Sequence, residues 1–468
     1  MTPLHSTPSP PSDPSSTSGS PTPGKRTARS GSAPASASAS ASASASASAS
    51  ASAGASAAAR SRRPLSIALV SEHASPLATL GGEDAGGQNV HVAQLAGALA
   101  DRGHRVTVYT RRDDATLPET VPLRAGVLVH HVPAGPPEHL PKDELLPHMR
   151  PFARYLADRW RVDRPDVAHS HFWMSGLATL WASRETGVPF LHTYHALGIV
   201  KRRHQGAADT SPPTRVAYER EVGLGCDRVV ATCRDEVEEL AAMGIARAKA
   251  DIVPCGVDPA VFRPDGPVAR RGPYRHRLLH LGRLVPRKGA AVSVAALRRL
   301  PDTELVIAGG PPPEALDTDP EVRRLRALAA EAGVADRVSF TGAVPPAAVP
   351  VLMRSADVVL CPADYEPFGI VPLEAMACGR PLVASAVGGQ QDTVAHGVNG
   401  LLVPPGNAPV LAAAARLLLA DPALRAEYGR AGRRRVLQHY SWQRVAGATE
   451  ASYRAVVAAH APMAGAPL

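Results

Sequence analysis

Aromatic side chains are scarce in this chain: Phe, Tyr and Trp together make up 4% of 468 residues. Its basic stretches have no interleaved rings on which bases could stack, which argues against nucleic acid as a partner. Cysteine is sparse too. Cys226, Cys233, Cys255, Cys361 and Cys378 are odd in number and form neither a CxxC pair nor a metal-ligand spacing. Reduced thiols in a cytoplasmic protein, most of them serving as small core residues, are expected rather than a disulfide framework. No apolar run approaches the ~20 residues that cross a bilayer, and the first residues lack the apolar core of a signal peptide. A clean G-x-G-x-x-G is also missing. Thr110-Arg111-Arg112 stands where a nicotinamide enzyme carries an acidic residue for the ribose, which argues against an oxidoreductase.

What is present is ordinary for a globular protein: 44% hydrophobic and 20% charged residues. The formal charge is +9, and residues 1–63 hold six Lys/Arg against one Asp. The remainder is only mildly basic, which suits a phosphate-bearing ligand without demanding one. Residues 1–63 are Ser, Pro, Thr, Ala and Gly with an Ala-Ser repeat. They cannot bury enough apolar surface to offset their ordering entropy, so a disordered, solvated tail is expected.

From residue 65 the pattern becomes strand, loop, helix. Apolar runs at 65–70, 105–110, 127–132, 166–170, 190–193, 228–232 and 250–254 read as strands, with helical spacing at 90–100. A Pro, Gly and Arg-rich linker covers 256–276. A second series follows at 277–281, 304–308, 337–341, 357–361, 381–384 and 400–403, separated by helices at 289–300, 320–332, 346–355 and 408–420. Alternation of this kind implies parallel sheets covered on both faces. The expectation is an α/β protein of two Rossmann-like doubly wound domains, 64–255 and 277–438, facing a cleft. Helices at 422–438 and 441–459 complete it, and residues 439–468 cross back to the first domain.

One motif stands out. Glu366-Pro-Phe-Gly-Ile-Val-Pro-Leu-Glu374 follows an apolar strand and opens a helix with Pro372 at its first position, and Gly379 caps the far end. Glu366 then lies at the carboxyl end of a strand and Glu374 in the first helical turn, both aimed at the crevice where such sheets bind ligands. Arg283 and Lys288 enter another helix after a strand, where two cations can clamp a diphosphate; a solvated surface pair is the alternative, and the strand-end position with flanking glycines favours the clamp. Gly86 and Gly87 sit in the glycine-rich loop 81–89, where backbone N–H groups could meet a phosphate or simply form a tight turn. Gly388 and Gly389 offer a further close approach to a ligand. Four histidines close two strands of the first domain. His169 and His192 read as structural, and His171 and His195, the terminal members, as functional. Asp317-Thr-Asp319 imitates a metal-binding DxD but falls in a Pro-rich turn.

Together these residues resemble the retaining GT-B glycosyltransferases of family 4, over roughly residues 65–455. The resemblance implies a nucleotide-sugar donor held mainly by the second domain and an acceptor held mainly by the first. Glu366 would contact the donor sugar, Glu374 the ribose, and Arg283 and Lys288 the diphosphate. The segment Phe368, Gly369, Ile370 and Val371, with Gly86 and Gly87, would complete those contacts. His195 would lie near the anomeric centre. Ser75-Pro-Leu, Asp84-Ala-Gly-Gly and His169-Ser-His-Phe-Trp-Met are similar to the group that glycosylates inositol phosphate. On that likeness Asn89, Lys142, His171, Phe172 and Arg215 face the acceptor. Phe172 stands where that group carries Tyr, and Ala196 where it carries Thr, so two hydroxyl donors to a phosphate are gone. The function implied is hexosyl transfer from a UDP- or GDP-sugar to a small hydroxylated or glycan acceptor, with no metal and no other cofactor. N-acetylglucosaminyl transfer to inositol phosphate is the alternative, as is an epimerase or hydrolase on the same fold. Peripheral membrane contact and homodimers stay open.

Overall fold

The computed structural model describes residues 63–77 and 87–461. The expected tail, and Gly86 with most of its loop, lie outside the described residues. From Arg63 onward the chain alternates between short strands, most of them largely buried, and helices. In chain order the first half comprises β1 (Ser66–Val70), α1 (Gly87–Asp101), β2 (Arg105–Arg111), β3 (Thr120–Arg124) and β4 (Val127–Val132). There follow α2 (Met149–Val162), β5 (Val167–His171), α3 (Trp173–Thr186), β6 (Phe190–Thr193), α4 (Gly198–Gln205), α5 (Arg215–Gly225), β7 (Arg228–Ala231), α6 (Arg234–Ala242) and β8 (Ala250–Ile252). These strands form one eight-stranded sheet in the order β3-β4-β2-β1-β5-β6-β7-β8. All pairs are parallel except β3 with β4. The edge strand β3 was not expected: Pro122 interrupts it and every second residue faces water, a pattern tolerated only at an edge.

The second half comprises β9 (His276–Leu281), α7 (Ala290–Leu297), β10 (Thr303–Ala308), α8 (Pro320–Glu331), β11 (Val338–Gly342), α9 (Val349–Ser355) and β12 (Val358–Cys361). Then come α10 (Ile370–Ala377), β13 (Leu382–Ser385), α11 (Gln390–Thr393), β14 (Gly400–Val403), α12 (Ala408–Ala420), α13 (Pro422–His439) and α14 (Trp442–Ala459). Its six-stranded sheet runs β11-β10-β9-β12-β13-β14, and all its pairs are parallel. Each sheet carries an apolar cluster on both faces.

The strand order of each sheet reverses at one place, between β1 and β5 in the first and between β9 and β12 in the second. Loops leaving the carboxyl ends of two such strands diverge to opposite faces and open a crevice. The last helix belongs by sequence to the second half but packs on the first. Trp442, Val445, Ala446, Tyr453 and Val456 of α14 join the cluster of Val92, Leu95 and Leu99 from α1. Tyr453 Oη lies 2.7 Å from His169 Nδ1, and Arg102 Nε donates to Glu450 at 2.5 Å.

Candidate functional site

At the reversal in the second sheet, β9 is followed by Gly282 and the loop through Lys288, and β12 by the loop holding Tyr365 and Glu366. The two loops are tied together. Asp364 N–H donates to Arg287 O at 2.8 Å, and Lys288 Nζ forms an ion pair with the Glu366 carboxylate. Both partners of that pair are mostly buried. Gly289, at φ +75°, is required: a Cβ there would strike the carbonyl of Pro362. Arg283 stands exposed on the first loop.

Gly369 caps α10 at φ +91°, so the helix begins at Ile370. Pro372 is therefore its third residue and Glu374 its fifth, in the second turn and not the first as expected. The left-handed cap at Gly379 is observed, at φ +66°. Burial raises the Glu374 carboxyl to about 7, although solvent still reaches part of the residue. Gly388 and Gly389 pack against the chain itself. Added Cβ atoms would collide with Glu366 O and with the backbone of Phe368, and Gly389 N–H donates to Glu366 O at 3.1 Å. These glycines seat the glutamate loop against the chain itself. Asp319 caps α8 and Asp317 pairs with Arg326 at 2.6 Å, so the DxD-like segment is a surface turn.

At the reversal in the first sheet, His171 ends β5 and Phe172 caps α3. His195 lies two residues beyond β6. Phe172 and His195 are two of three non-glycine residues with positive φ among the described residues, at +78° and +61°, a strain that clusters at functional sites. His171 Nδ1 and His195 Nε2 are 3.0 Å apart, so one donates to the other. His91 of α1 joins them, its ring 5.1 Å from that of His195 and 5.6 Å from that of His171. Sequence spacing did not mark His91, which lies far away along the chain. Burial, and then the neighbouring imidazoles, push His171 and His195 well below the ordinary histidine range, and burial lowers His91 to about 4. Near neutral pH these rings are uncharged. His169 bonds to Tyr453 and to Thr193, and His192 to Ser170 at 2.8 Å, the structural roles expected of them. Among the described residues no three His, Cys, Asp or Glu side chains converge as metal ligands.

Lys142 begins a short 3-10 turn, and Arg215 opens α5. Both flank the ring of Phe172, with Lys142 Nζ 5.9 Å and Arg215 Cζ 5.2 Å from its centroid. Arg215 is buried and donates to Glu219 at 2.8 Å and to Ala196 O at 2.7 Å. Asn89 is buried on the first turn of α1 and donates to Ser75 O.

The two halves meet across these loops. A Cβ on Gly87 would stand 3.0 Å from Ile370 Cδ1. His195, Ala196 and Cys233 of the first half share one small cavity with Tyr365 and Pro367 of the second. Arg234 pairs with Asp392 at 2.6 Å, and the rings of His204 and Tyr365 stack at 5.1 Å. These bridging contacts had no signature in either partner's local sequence.

Comparison with known proteins agrees with this arrangement. Residues 85–261 match the family described as Glycosyltransferase Family 4, and residues 272–435 the family described as Glycosyl transferases group 1. The D-inositol 3-phosphate glycosyltransferase of Acidothermus cellulolyticus is 42% identical over 386 residues, 78% of this chain and 84% of that relative. The solved sucrose-phosphate synthase of Thermosynechococcus elongatus superposes with a TM-score of 0.76 at 34% identity, covering 84% of this chain and 99% of its own. An Anabaena protein, Alr3699/HepE, solved in complex with UDP-glucose, shares the fold at 21% identity and a TM-score of 0.63, covering 83% and 98%. The chain thus belongs to the family 4 glycosyltransferases of GT-B fold, enzymes that move a glycosyl unit from a nucleotide sugar.

Proposed function

We propose that this enzyme is a retaining transferase that takes a hexosyl unit from a UDP-sugar and passes it to a small phosphorylated polyol of the inositol phosphate class. The observation that carries this reading is the placement of Lys288 and Glu366, ion-paired at the crevice of the second sheet, opposite His195 at the crevice of the first. In it Glu366 holds the donor sugar, Glu374 the ribose, and Lys288 with Arg283 the diphosphate. Asn89, His171 and Phe172 face the acceptor between Lys142 and Arg215. The inositol phosphate relative supports the acceptor class, and the UDP-glucose complex supports the base.

In the proposed reaction the bond from the anomeric carbon to the diphosphate oxygen breaks, and a bond to the acceptor oxygen forms on the same face. The acceptor proton passes to the departing diphosphate oxygen. Positive charge develops on the sugar beside Glu366, and negative charge on the diphosphate beside Lys288, Arg283 and the N-terminus of α10. Fixed charges of this kind stabilise the transition state with little reorganisation. His195, kept neutral by burial, can hydrogen-bond a sugar hydroxyl without adding repulsion to the cationic centre.

Thermal stabilisation by UDP, GDP, ADP and NAD, then by the matching nucleotide sugars, tests the donor. A shift with NAD alone would refute the reading. Product analysis with and without inositol phosphate separates transfer from hydrolysis or epimerisation, and the anomeric coupling of the product tests retention. Lys288→Ala and Arg283→Ala are each expected to weaken UDP roughly 10- to 100-fold, since hydrogen bonds to charged groups are worth ~1.5–3 kcal/mol. Equal affinity in both would place the diphosphate elsewhere. We also propose that the clamp acts without a divalent cation, so turnover is expected to persist in EDTA; its loss, with recovery on adding Mg²⁺ or Mn²⁺, would overturn this.

A further inference from the structure

His91 has no part in the proposed reaction, yet its ring meets both histidines that do. It is the fifth residue of α1 and only 4% exposed. Gln88, one turn earlier on the same face, ties α1 to the end of β5 by donating to His171 O at 3.3 Å. Helix and strand are thereby held in register, and the His91 imidazole is delivered against those of His171 and His195. Its Nδ1 is enclosed with no hydrogen-bond partner among the described residues, so this ring acts on its neighbours by contact. Burial lowers it to about 4, which keeps it uncharged near neutral pH.

His195 needs such a contact. It lies beyond β6 at φ +61°, a backbone conformation that persists only where the surroundings hold it. The bond between its Nε2 and His171 Nδ1, 3.0 Å apart, anchors one corner of the imidazole. A single bond of this kind leaves the ring plane free to turn about the N···N line. The His91 ring stands at 80° to that plane, with centroids 5.1 Å apart, in the edge-to-face geometry that aromatic rings favour. It blocks the rotation. His91 is itself braced, because Trp442 at the start of α14 meets it at 82° and 5.4 Å. The indole is seated in turn on the linker, where a Cβ on Gly256 would come within 2.7 Å of it. The last helix thus reaches the first sheet's crevice through one intervening ring.

We propose that His91 is a positioning residue, which sets the plane of the His195 imidazole so that Nδ1, the nitrogen not bonded to His171, faces the transferred sugar. The inference rests on the reading that places His195 beside that sugar. It gives the first helix a part in the reaction and makes Trp442 its support.

The test uses the full-length enzyme with UDP-glucose or UDP-N-acetylglucosamine, whichever stabilises it more against heat, and inositol 1-phosphate as acceptor. The readout is UDP released in a single turnover, which counts transfer and hydrolysis alike, and melting temperatures confirm that each variant folds. His91→Leu fills the space without an aromatic edge, and His91→Phe restores one. His91→Leu is expected to lose about tenfold or more in rate, as small displacements of an oriented group do, with UDP affinity unchanged. His91→Phe is expected to stay within about threefold of the wild type. A wild-type rate in His91→Leu, or equal losses in the two variants, would overturn the proposal. The double variant separates positioning from support of the fold. In His195→Ala there is no ring to orient, so adding His91→Leu is expected to cost nothing further; the same loss as in the wild-type background would overturn the proposal. A wild-type rate in His195→Ala alone would instead remove His195 from the reaction, and this inference with it.

Discussion

Glu366→Gln is expected to fold, to bind UDP within a fewfold of the wild type, and to lose roughly 10²- to 10³-fold in kcat, the usual cost of removing one preorganised electrostatic contact. The substitution keeps the shape and the capacity to accept a bond from Lys288 but removes the negative charge. Only the transition state, with its positive sugar, feels that change in full, so kcat falls more than donor affinity. The loop itself should persist, because its seat is made by backbone: Glu366 O accepts from Gly389 N–H at 3.1 Å. Circular dichroism and UDP affinity check the fold, and single-turnover rates check the chemistry. An unchanged rate would remove Glu366 from the reacting centre.

Acid is expected to unfold the protein well before it titrates ordinary carboxylates. Burial lowers His91 to about 4, His192 to about 3 and His280 to about 4, against 6.5 for the unfolded chain. With folded values below the unfolded one, the unfolded chain binds more protons below about pH 6.5, so stability falls as pH drops from there toward about 4. Each such histidine costs ~1.4 kcal/mol per pH unit in that window, so these three remove up to about 6 kcal/mol by pH 5. His169, His171 and His195 act with the same sign. A domain holds only ~5–15 kcal/mol in total. Glu374 acts in the opposite sense: raised from 4.5 to about 7, its contribution is present below pH 4.5 and lost as pH rises through about 7. Urea midpoints between pH 7.5 and 5 check the balance, and a flat profile would mean that these rings already hold protons in the folded state.

Much of this architecture was legible in the sequence, because parallel strands buried on both faces read as short apolar runs whatever surrounds them. Positions 190–193 and 127–132 were located to the residue. The loop of Glu366 was legible as well, since Glu366, Gly369 and Gly379 are punctuated by local turn chemistry. What local pattern does not encode is pairing at a distance. Lys288 meets Glu366 from 78 positions away and Glu72 meets Ser175 from 103, so neither spacing could announce the bond. Position 372 was misplaced by two residues because a proline fits the third helical position as well as the first, where its missing N–H is equally idle. The glycines at 388 and 389 pack on the chain's own backbone, and a close approach leaves the same mark in sequence whether the neighbour is a phosphate or the chain's own carbonyl.

The position of α14 has a consequence for the order of biosynthesis. The hydrophobic face of α1 is covered by Trp442, Val445 and Tyr453, and residues leave the ribosome at ~5–20 per second, with N-terminal domains generally folding first. The eight-stranded sheet is therefore complete in sequence by Ile252 while one flank stays bare until nearly two hundred further residues have been made. Throughout that interval the nascent chain carries an uncovered apolar stripe. Its first half becomes finished only after the second sheet has been made, which ties the maturation of one sheet to the successful synthesis of the other.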